Sequence, residues 1–119
     1  MRDHTSLIAW QEAEAVSLAV IDLSMRFWKP YARAVFDQLQ RSALSVQLNI
    51  AEGYAFTNSP TFRRHLGCAY GSAIETGDLL RTLHKARIVP SEIVEPITTR
   101  CQRSQRLLLG LLRRSRATG

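Results

Sequence analysis

Cysteine and histidine are scarce in this chain, and they are spaced in a way that excludes the common metal and redox motifs. Cys68 and Cys101 lie far apart and outside any C-x-x-C spacing. The three histidines, His4, His65 and His84, show no ligand spacing with one another or with the cysteines. Zinc sites and thiol redox centres need closely spaced ligands. We therefore expect two free, buried thiols in a reducing cytoplasm, no metal and no other cofactor.

Long apolar runs are also missing. The longest strongly apolar run, residues 107–112, is about a third of the length that a membrane-spanning helix needs. The first six residues are polar, and no apolar segment with a small-residue cleavage site follows them, so we expect no secretory signal peptide. The lack of a membrane span and of a signal peptide predicts a cytoplasmic protein without a membrane partner.

No glycine-rich phosphate loop and no β-alternation occur either.

Lysine is almost absent, with two copies against fourteen arginines, and the basic charge is unevenly distributed. The net charge is +6. Residues 1–99 hold ten basic and ten acidic side chains, whereas the last twenty residues hold six arginines and no acid. The whole excess of positive charge therefore lies at one end of the chain.

Helical periodicity dominates the rest of the sequence. Apolar residues recur three and four apart in four segments, which we place at about residues 7–27, 30–56, 60–85 and from 91 onward. At 119 residues the chain suffices for one domain spanning residues 1–119. Four helices with short connections predict an all-α fold, an antiparallel up-and-down four-helix bundle. Ser91 is the expected N-cap of the last helix, and Pro96 either kinks its first turn or marks its true start.

Three glycines interrupt the third predicted helix. Gly67, Gly71 and Gly77 each cost about 1 kcal/mol in helix propensity against alanine. We interpret them as a sign that another helix approaches closely.

A polar stripe follows one face of the second helix. Arg41, Ser45, Asn49 and Glu52 recur at helical spacing, and Ser72 and Glu75 on the third helix are suitable partners. Because an unpaired buried charge costs several kcal/mol, we expect a paired, structural seam, with Glu75 meeting Arg41 and Asn49 meeting Ser72. A small-molecule or catalytic site and a direct nucleic-acid contact are the alternatives. Ser45 has no histidine nearby in sequence to activate it, which favours the structural interpretation.

A second, smaller apolar stripe lies beside the polar one. It consists of Leu44, Leu48, Ala51 and Ala55. A helix with apolar residues on two sides rarely borders water on either, so we expect this stripe to be an oligomer interface.

The last helix carries an arginine face opposite its apolar side. Its members are Arg100, Arg103, Arg106, Arg113 and Arg114. Guanidinium groups pair with phosphate, so these residues are candidate nucleic-acid contacts that would not read sequence. The alternative is a solvated basic face that keeps the protein soluble. Residues 97–119 contain no aromatic side chain on which bases would stack.

Three segments together resemble a known family. They are LIAWQ at 7–11, QLQRSALSVQLNIAEGY at 38–54 and FRRHLGCAYGSAIE at 62–75. They are similar to the bacterial four-helix bundle family of 23S rRNA intervening-sequence proteins, which includes the accessory variability proteins of diversity-generating retroelements. The resemblance implies a four-helix protomer in a homopentameric ring. For the retroelement members it also implies a basic surface that handles nucleic acid and a reverse transcriptase.

The resulting functional expectation is a non-enzymatic homo-oligomeric scaffold. It would bind RNA or DNA, or a nucleic-acid enzyme such as a reverse transcriptase, through its basic surface. The alternative is a protein–protein adaptor with no nucleic-acid role. An enzyme is the third hypothesis, and we assign no catalytic residue.

Overall fold

Four long helices make up most of the chain that the structure describes, as the sequence predicts. The computed structural model describes residues 3–57 and 59–118. The helices are α1 (Ile8–Phe27), α2 (Arg33–Tyr54), α3 (Pro60–Lys85) and α4 (Ser91–Thr118). Short 3₁₀ turns at His4–Ser6 and Pro30–Ala32 precede α1 and α2. No strand occurs in the described residues.

Local chemistry sets where the helices begin and end. Trp28 is extended (φ −56°, ψ 135°) and closes α1 two residues before Pro30. At the start of α3, the Ser59 hydroxyl accepts a hydrogen bond from the Phe62 amide. Pro60 takes the first helical position, where a backbone N–H would have no partner within the helix. Arg87, in the connection to α4, has a φ of 60°, in the left-handed region. The chain therefore reverses direction between helices in a few residues.

The start of α4 differs slightly from the sequence prediction. The Pro90 carbonyl accepts from the amides of Ile93 and Val94, so Pro90 rather than Ser91 is the residue that precedes the first turn. Pro96 lies inside the helix. The proline therefore does not mark the start of α4.

The four helices pack in a ring in which each contacts the next in sequence and α4 closes against α1. The bundle measures 45 × 25 × 22 Å. One core cluster, centred on Phe36, Leu39, Leu80 and Leu83, fills the end where α1 meets α2. The other, centred on Ile50, Leu66 and Leu108, fills the opposite end. Each such fully buried side chain contributes roughly 1.5–3 kcal/mol by leaving water.

Two of the three glycines of α3 do not mark the close helix approach that the sequence suggests. A β-carbon added to Gly67 or Gly71 would meet no atom of the described residues within 4 Å. At Gly77 the neighbour is a flexible side chain, with Gln105 Nε2 at 3.2 Å. The close approach lies instead at Gly53 of α2, where a β-carbon would be 2.8 Å from Cβ of His65.

No helix in the described part of the chain is both long enough and apolar enough to cross a bilayer.

Candidate functional site

The middle of the predicted polar seam is a hydrogen-bonded network between α2 and α3. The hydroxyls of Ser45 and Ser72 lie 2.8 Å apart. Asn49 Nδ2 donates to the Ser45 carbonyl (2.9 Å) and hydroxyl (3.1 Å). Asn49 Oδ1 lies 3.0 Å from His65 Nδ1. Ser72 thus pairs with Ser45 instead of Asn49, and the network ties one turn of α2 to two turns of α3.

The charged ends of the seam are placed differently from the prediction. Arg41 is exposed and makes no ion pair with any described residue. Because its guanidinium stays in water, it needs no buried partner, and the predicted contact with Glu75 does not form. Glu75 accepts a hydrogen bond from Gln38 Nε2. Glu52 is two-thirds exposed, with Oε2 4.0 Å from His65 Nδ1.

His65 also belongs to this network, on the polar face of α3 that the sequence indicates. Its side chain is largely buried, and its ring stacks on Phe56 with centroids 6.3 Å apart and planes 5° from parallel. The sequence signal was its position seven residues before Ser72, which puts both on one face of α3. His65 bonds Asn49 and not Ser45, so the arrangement supplies interhelical register and no activated hydroxyl.

The arginine face of α4 is partly neutralised by α1. Glu12, which is buried, places Oε1 3.0 Å from Arg103 Nη1 and Oε2 3.6 Å from Arg100 Nη1. The sequence interpretation did not include Glu12. The available signal was an acid on the apolar face of α1, one residue before buried Ala13 and four before buried Val16.

The five candidate arginines fall into two groups. Arg100, Arg103 and Arg106 line a groove of about 400 Å³ whose other residues are Glu12, Pro96 and Thr99. Arg106 is exposed and makes no ion pair with any described residue. Arg113 and Arg114 lie about two turns farther along α4, and both are exposed. A basic strip therefore runs along the outer side of α4, beside α1.

A second, larger groove lies between α3 and α4 and borders the first groove at Thr99, which lines both. Its volume is about 730 Å³. Ile74 and Val94 contribute apolar surface, and Glu75, Asp78 and Glu95 supply negative charge. Arg81 supplies one positive charge against these three carboxylates. The groove is therefore negative overall and repels phosphate. The two neighbouring grooves along α4 thus carry net charges of opposite sign.

The predicted oligomer stripe lies on the outer surface of α2. Leu48 is 51% exposed, Leu44 and Ala55 are also exposed, and Ala51 is half-buried. Helix α1 adds exposed apolar residues that the sequence interpretation did not assign to this surface, namely Leu18, Ile21 and Met25. The Ser17 hydroxyl donates to the Ala43 carbonyl (3.2 Å), which places the next residues, Leu18 and Leu44, at the same level of the bundle. The outer α1–α2 surface therefore carries exposed apolar side chains from both helices.

The cysteines differ from each other in burial. Both are free, but only Cys101 is buried, so the expectation for Cys68 was wrong. Burial raises the pKa of the Cys101 thiol to about 11, against smaller opposing effects of the Gln105 side chain and the Gly77 backbone. Cys101 Sγ donates to the Ala73 carbonyl at 3.3 Å, so the thiol acts as an interhelical contact between α4 and α3. Among the described residues, no three His, Cys, Asp or Glu side chains come together as a metal site would require.

The fold is shared with a solved structure. A crystal structure of a protein of unknown function from the S23 ribosomal protein family of Bacteroides thetaiotaomicron superposes with a TM-score of 0.81. The two sequences are 20% identical, and the superposition covers 88% of this chain and 98% of the other. At this identity the likeness supports the fold alone. A comparison with curated proteins finds no match.

The sequence also matches a protein family over most of its length. The matching family is the 23S rRNA-intervening sequence protein family, and the match spans residues 5–110, from the turn before α1 into the C-terminal part of α4. That range contains the α2–α3 network, Glu12 and the first three arginines of α4. The chain therefore belongs to the 23S rRNA-intervening sequence protein family.

Proposed function

We propose that the protein is a non-enzymatic, homo-oligomeric helical scaffold that binds RNA or DNA through the outer side of α4. The observation that carries the proposal is the basic strip along that helix, where Arg106, Arg113 and Arg114 are exposed. The acidic groove between α3 and α4 disfavours a polyanion, whereas this strip attracts one. Family membership is consistent with a role near RNA.

Binding through this strip would depend on phosphate and not on base sequence. Guanidinium groups pair with phosphate oxygens, and the strip lacks aromatic side chains that would stack on bases. Each neutralised phosphate releases counterions, so affinity should fall steeply as salt is added. In a homopentamer the net charge of +6 per chain would become about +30, which strengthens the attraction even when each protomer makes few contacts.

The test is titration of a fluorescently labelled, mixed-sequence RNA with the protein at several salt concentrations. We expect binding at about 50 mM salt that weakens strongly by about 200 mM. Replacing Arg113 and Arg114 with glutamate should weaken it at least about tenfold, since opposite charge then faces the phosphates. The matched control replaces Arg26 and Arg33 with glutamate, which changes the net charge by the same amount. These two arginines lie at the other end of the bundle, beside Asp22 and Asp37. Absence of binding at low salt would end the nucleic-acid proposal.

Homo-oligomerisation rests on the apolar α1–α2 surface. Exposed apolar side chains that gather on one surface mark a protein interaction site, and Leu18, Leu44 and Leu48 are all exposed there. We expect size exclusion with light scattering to give about 67 kDa, five times the 13.4 kDa chain mass. Replacing Leu44 and Leu48 with glutamate should yield monomers that keep their helical circular dichroism. Thr82→Glu, an exposed change on α3, is the control. A wild-type monomer at micromolar concentration would contradict the proposal.

The second candidate is a protein–protein adaptor without a nucleic-acid role. The open groove between α3 and α4, with its apolar floor and acidic rim, is the observation that favours it. A partner such as a reverse transcriptase would then bind the oligomer directly. A complex that forms with purified partner after nuclease treatment, and that Arg113→Glu with Arg114→Glu does not weaken, would favour the adaptor.

A further inference from the structure

The groove between α1 and α4 is built around a buried carboxylate. The Glu12 side chain is only 10% exposed, yet its Oε2 atom has no hydrogen bond to any described residue. Arg100 is the nearest cation to that oxygen, at 3.6 Å, whereas Arg103 makes a close pair with Oε1 at 3.0 Å. Burial makes a carboxylate costly unless cations compensate it. Glu12 thus attracts both arginines toward the base of the groove.

The two arginines nevertheless keep donors available to a ligand. Their side chains are 51% and 57% exposed, and each guanidinium has five N–H donors, of which Glu12 engages one or two. Arg106 and Thr99 line the same groove. Three guanidiniums and a hydroxyl therefore surround one space of about 400 Å³.

We propose that this groove is a binding site for a phosphate group, and that Glu12 holds Arg100 and Arg103 in position while limiting the affinity of the site. Three guanidiniums against one carboxylate leave a formal charge of +2, which favours an anion. The flat, forked guanidinium geometry favours phosphate oxygens over a spherical anion. The phosphate is either a diester of a nucleic-acid strand or part of a small polyphosphate, and the two probes below distinguish these sources. In the first case the inference rests on the proposed function and identifies its contact point.

Glu12 and a phosphate compete for the same donors. A phosphate that enters the groove gains contacts to Arg100 and Arg103 but is repelled by the Glu12 carboxylate behind them. Glutamine at this position keeps an oxygen that accepts from Arg103 and removes the negative charge. At a separation of several ångströms and a partly aqueous dielectric, losing that repulsion should tighten phosphate binding about three- to tenfold.

The experiment compares Glu12→Gln with Glu14→Gln. Both variants remove one negative charge from α1, but Glu14 does not line the groove. Two probes are titrated: a short mixed-sequence RNA, followed by fluorescence anisotropy at several salt concentrations, and inorganic tripolyphosphate, followed by calorimetry. We expect Glu12→Gln to bind tripolyphosphate about three- to tenfold more tightly than Glu14→Gln, and RNA as well if the strand supplies the phosphate.

A second pair of variants tests the site without touching a buried residue. Arg106→Ala should weaken tripolyphosphate binding, whereas Arg33→Ala, an exposed arginine far from the groove, should not. Thermal unfolding of all four proteins checks that the fold is retained. Because Arg106 is exposed, this comparison remains informative even if Glu12→Gln fails to fold.

The outcomes separate this inference from the proposed function. Equal affinities of Glu12→Gln and Glu14→Gln, or no loss with Arg106→Ala, would overturn the phosphate site. RNA binding that depends on Arg113 and Arg114, together with tripolyphosphate binding that neither Glu12→Gln nor Arg106→Ala changes, would do the same while leaving the proposed function intact. Tripolyphosphate binding with the expected Glu12 effect but without RNA binding would support the site and reject the nucleic-acid proposal.

Discussion

Gly53 of α2 lies against His65 of α3 so closely that a β-carbon added to Gly53 would be 2.8 Å from Cβ of His65. The ring of Phe62 would be 3.2 Å away. Side-chain carbons do not approach one another this closely, so the two helices must separate to admit alanine. Gly53 therefore sets the spacing of α2 and α3 at the end where the hydrogen-bonded network of His65 and Asn49 lies.

The first prediction is that Gly53→Ala destabilises the protein. The overlap with His65 should cost about 1–3 kcal/mol, more than the gain in helix propensity offsets. Urea unfolding followed by circular dichroism measures the change in the free energy of unfolding.

Gly67→Ala is the matched comparison within the same pair of helices. No atom lies within 4 Å of the added β-carbon, so alanine should stabilise α3 by up to about 1 kcal/mol. If Gly53→Ala and Gly67→Ala both raised the free energy of unfolding, helix propensity, and not the close approach of His65, would decide the effect at Gly53.

The next prediction concerns the network between α2 and α3. A double-mutant cycle on Ser45→Ala and Ser72→Ala should give a coupling energy of about 0.5–1.5 kcal/mol, because their hydroxyls bond to each other across the interface. Arg41→Ala serves as the control and should change stability by less than about 0.5 kcal/mol, since Arg41 is exposed. A large loss with Arg41→Ala in dilute protein would mean that Arg41 is paired after all.

Stability should also depend on pH through Cys101. Its folded-state pKa, about 11, lies above the ordinary value of 9.0, so the folded chain retains the thiol proton while the unfolded chain loses it. The stabilising contribution is fully present below pH 9 and decreases by about 1 kcal/mol per pH unit up to about 11. Comparing Cys101→Ala with wild type between these limits isolates this loss from other titrating groups. If the free energy of unfolding of the two proteins fell in parallel between pH 9 and pH 11, the predicted contribution of the Cys101 thiol would be wrong.

The reactivity of the two thiols provides a separate check. Cys68 is exposed, whereas Cys101 is buried and stays protonated at neutral pH. A chromogenic thiol reagent should therefore modify one thiol rapidly in native protein and the second only after denaturation. Rapid reaction of both would show that the α3–α4 interface opens readily.

Much of the fold follows from local pattern. Residues such as Phe36, Leu39, Leu66 and Leu80 recur at helical spacing, and a helix built from them must bury that face wherever its partners lie. Proline and capping residues place the helix ends within a few residues, because they act on the backbone next to them. The four-helix bundle is therefore predictable from the sequence.

The polar site depended on tertiary structure because helical periodicity does not specify the rotation and level of one helix against its neighbour. Arg41 and Ser45 belong to one stripe on a helical wheel, yet packing of α3 covers Ser45 and leaves Arg41 in water. His65 joined the network because the glycine at position 53 lets α3 come close. Glu12 and Arg103 are separated by most of the chain and meet only because α4 closes the ring against α1. The sequence alone thus determined which residues share a helix face, and the packing of the helices decided which of those faces meet and which charges are neutralised.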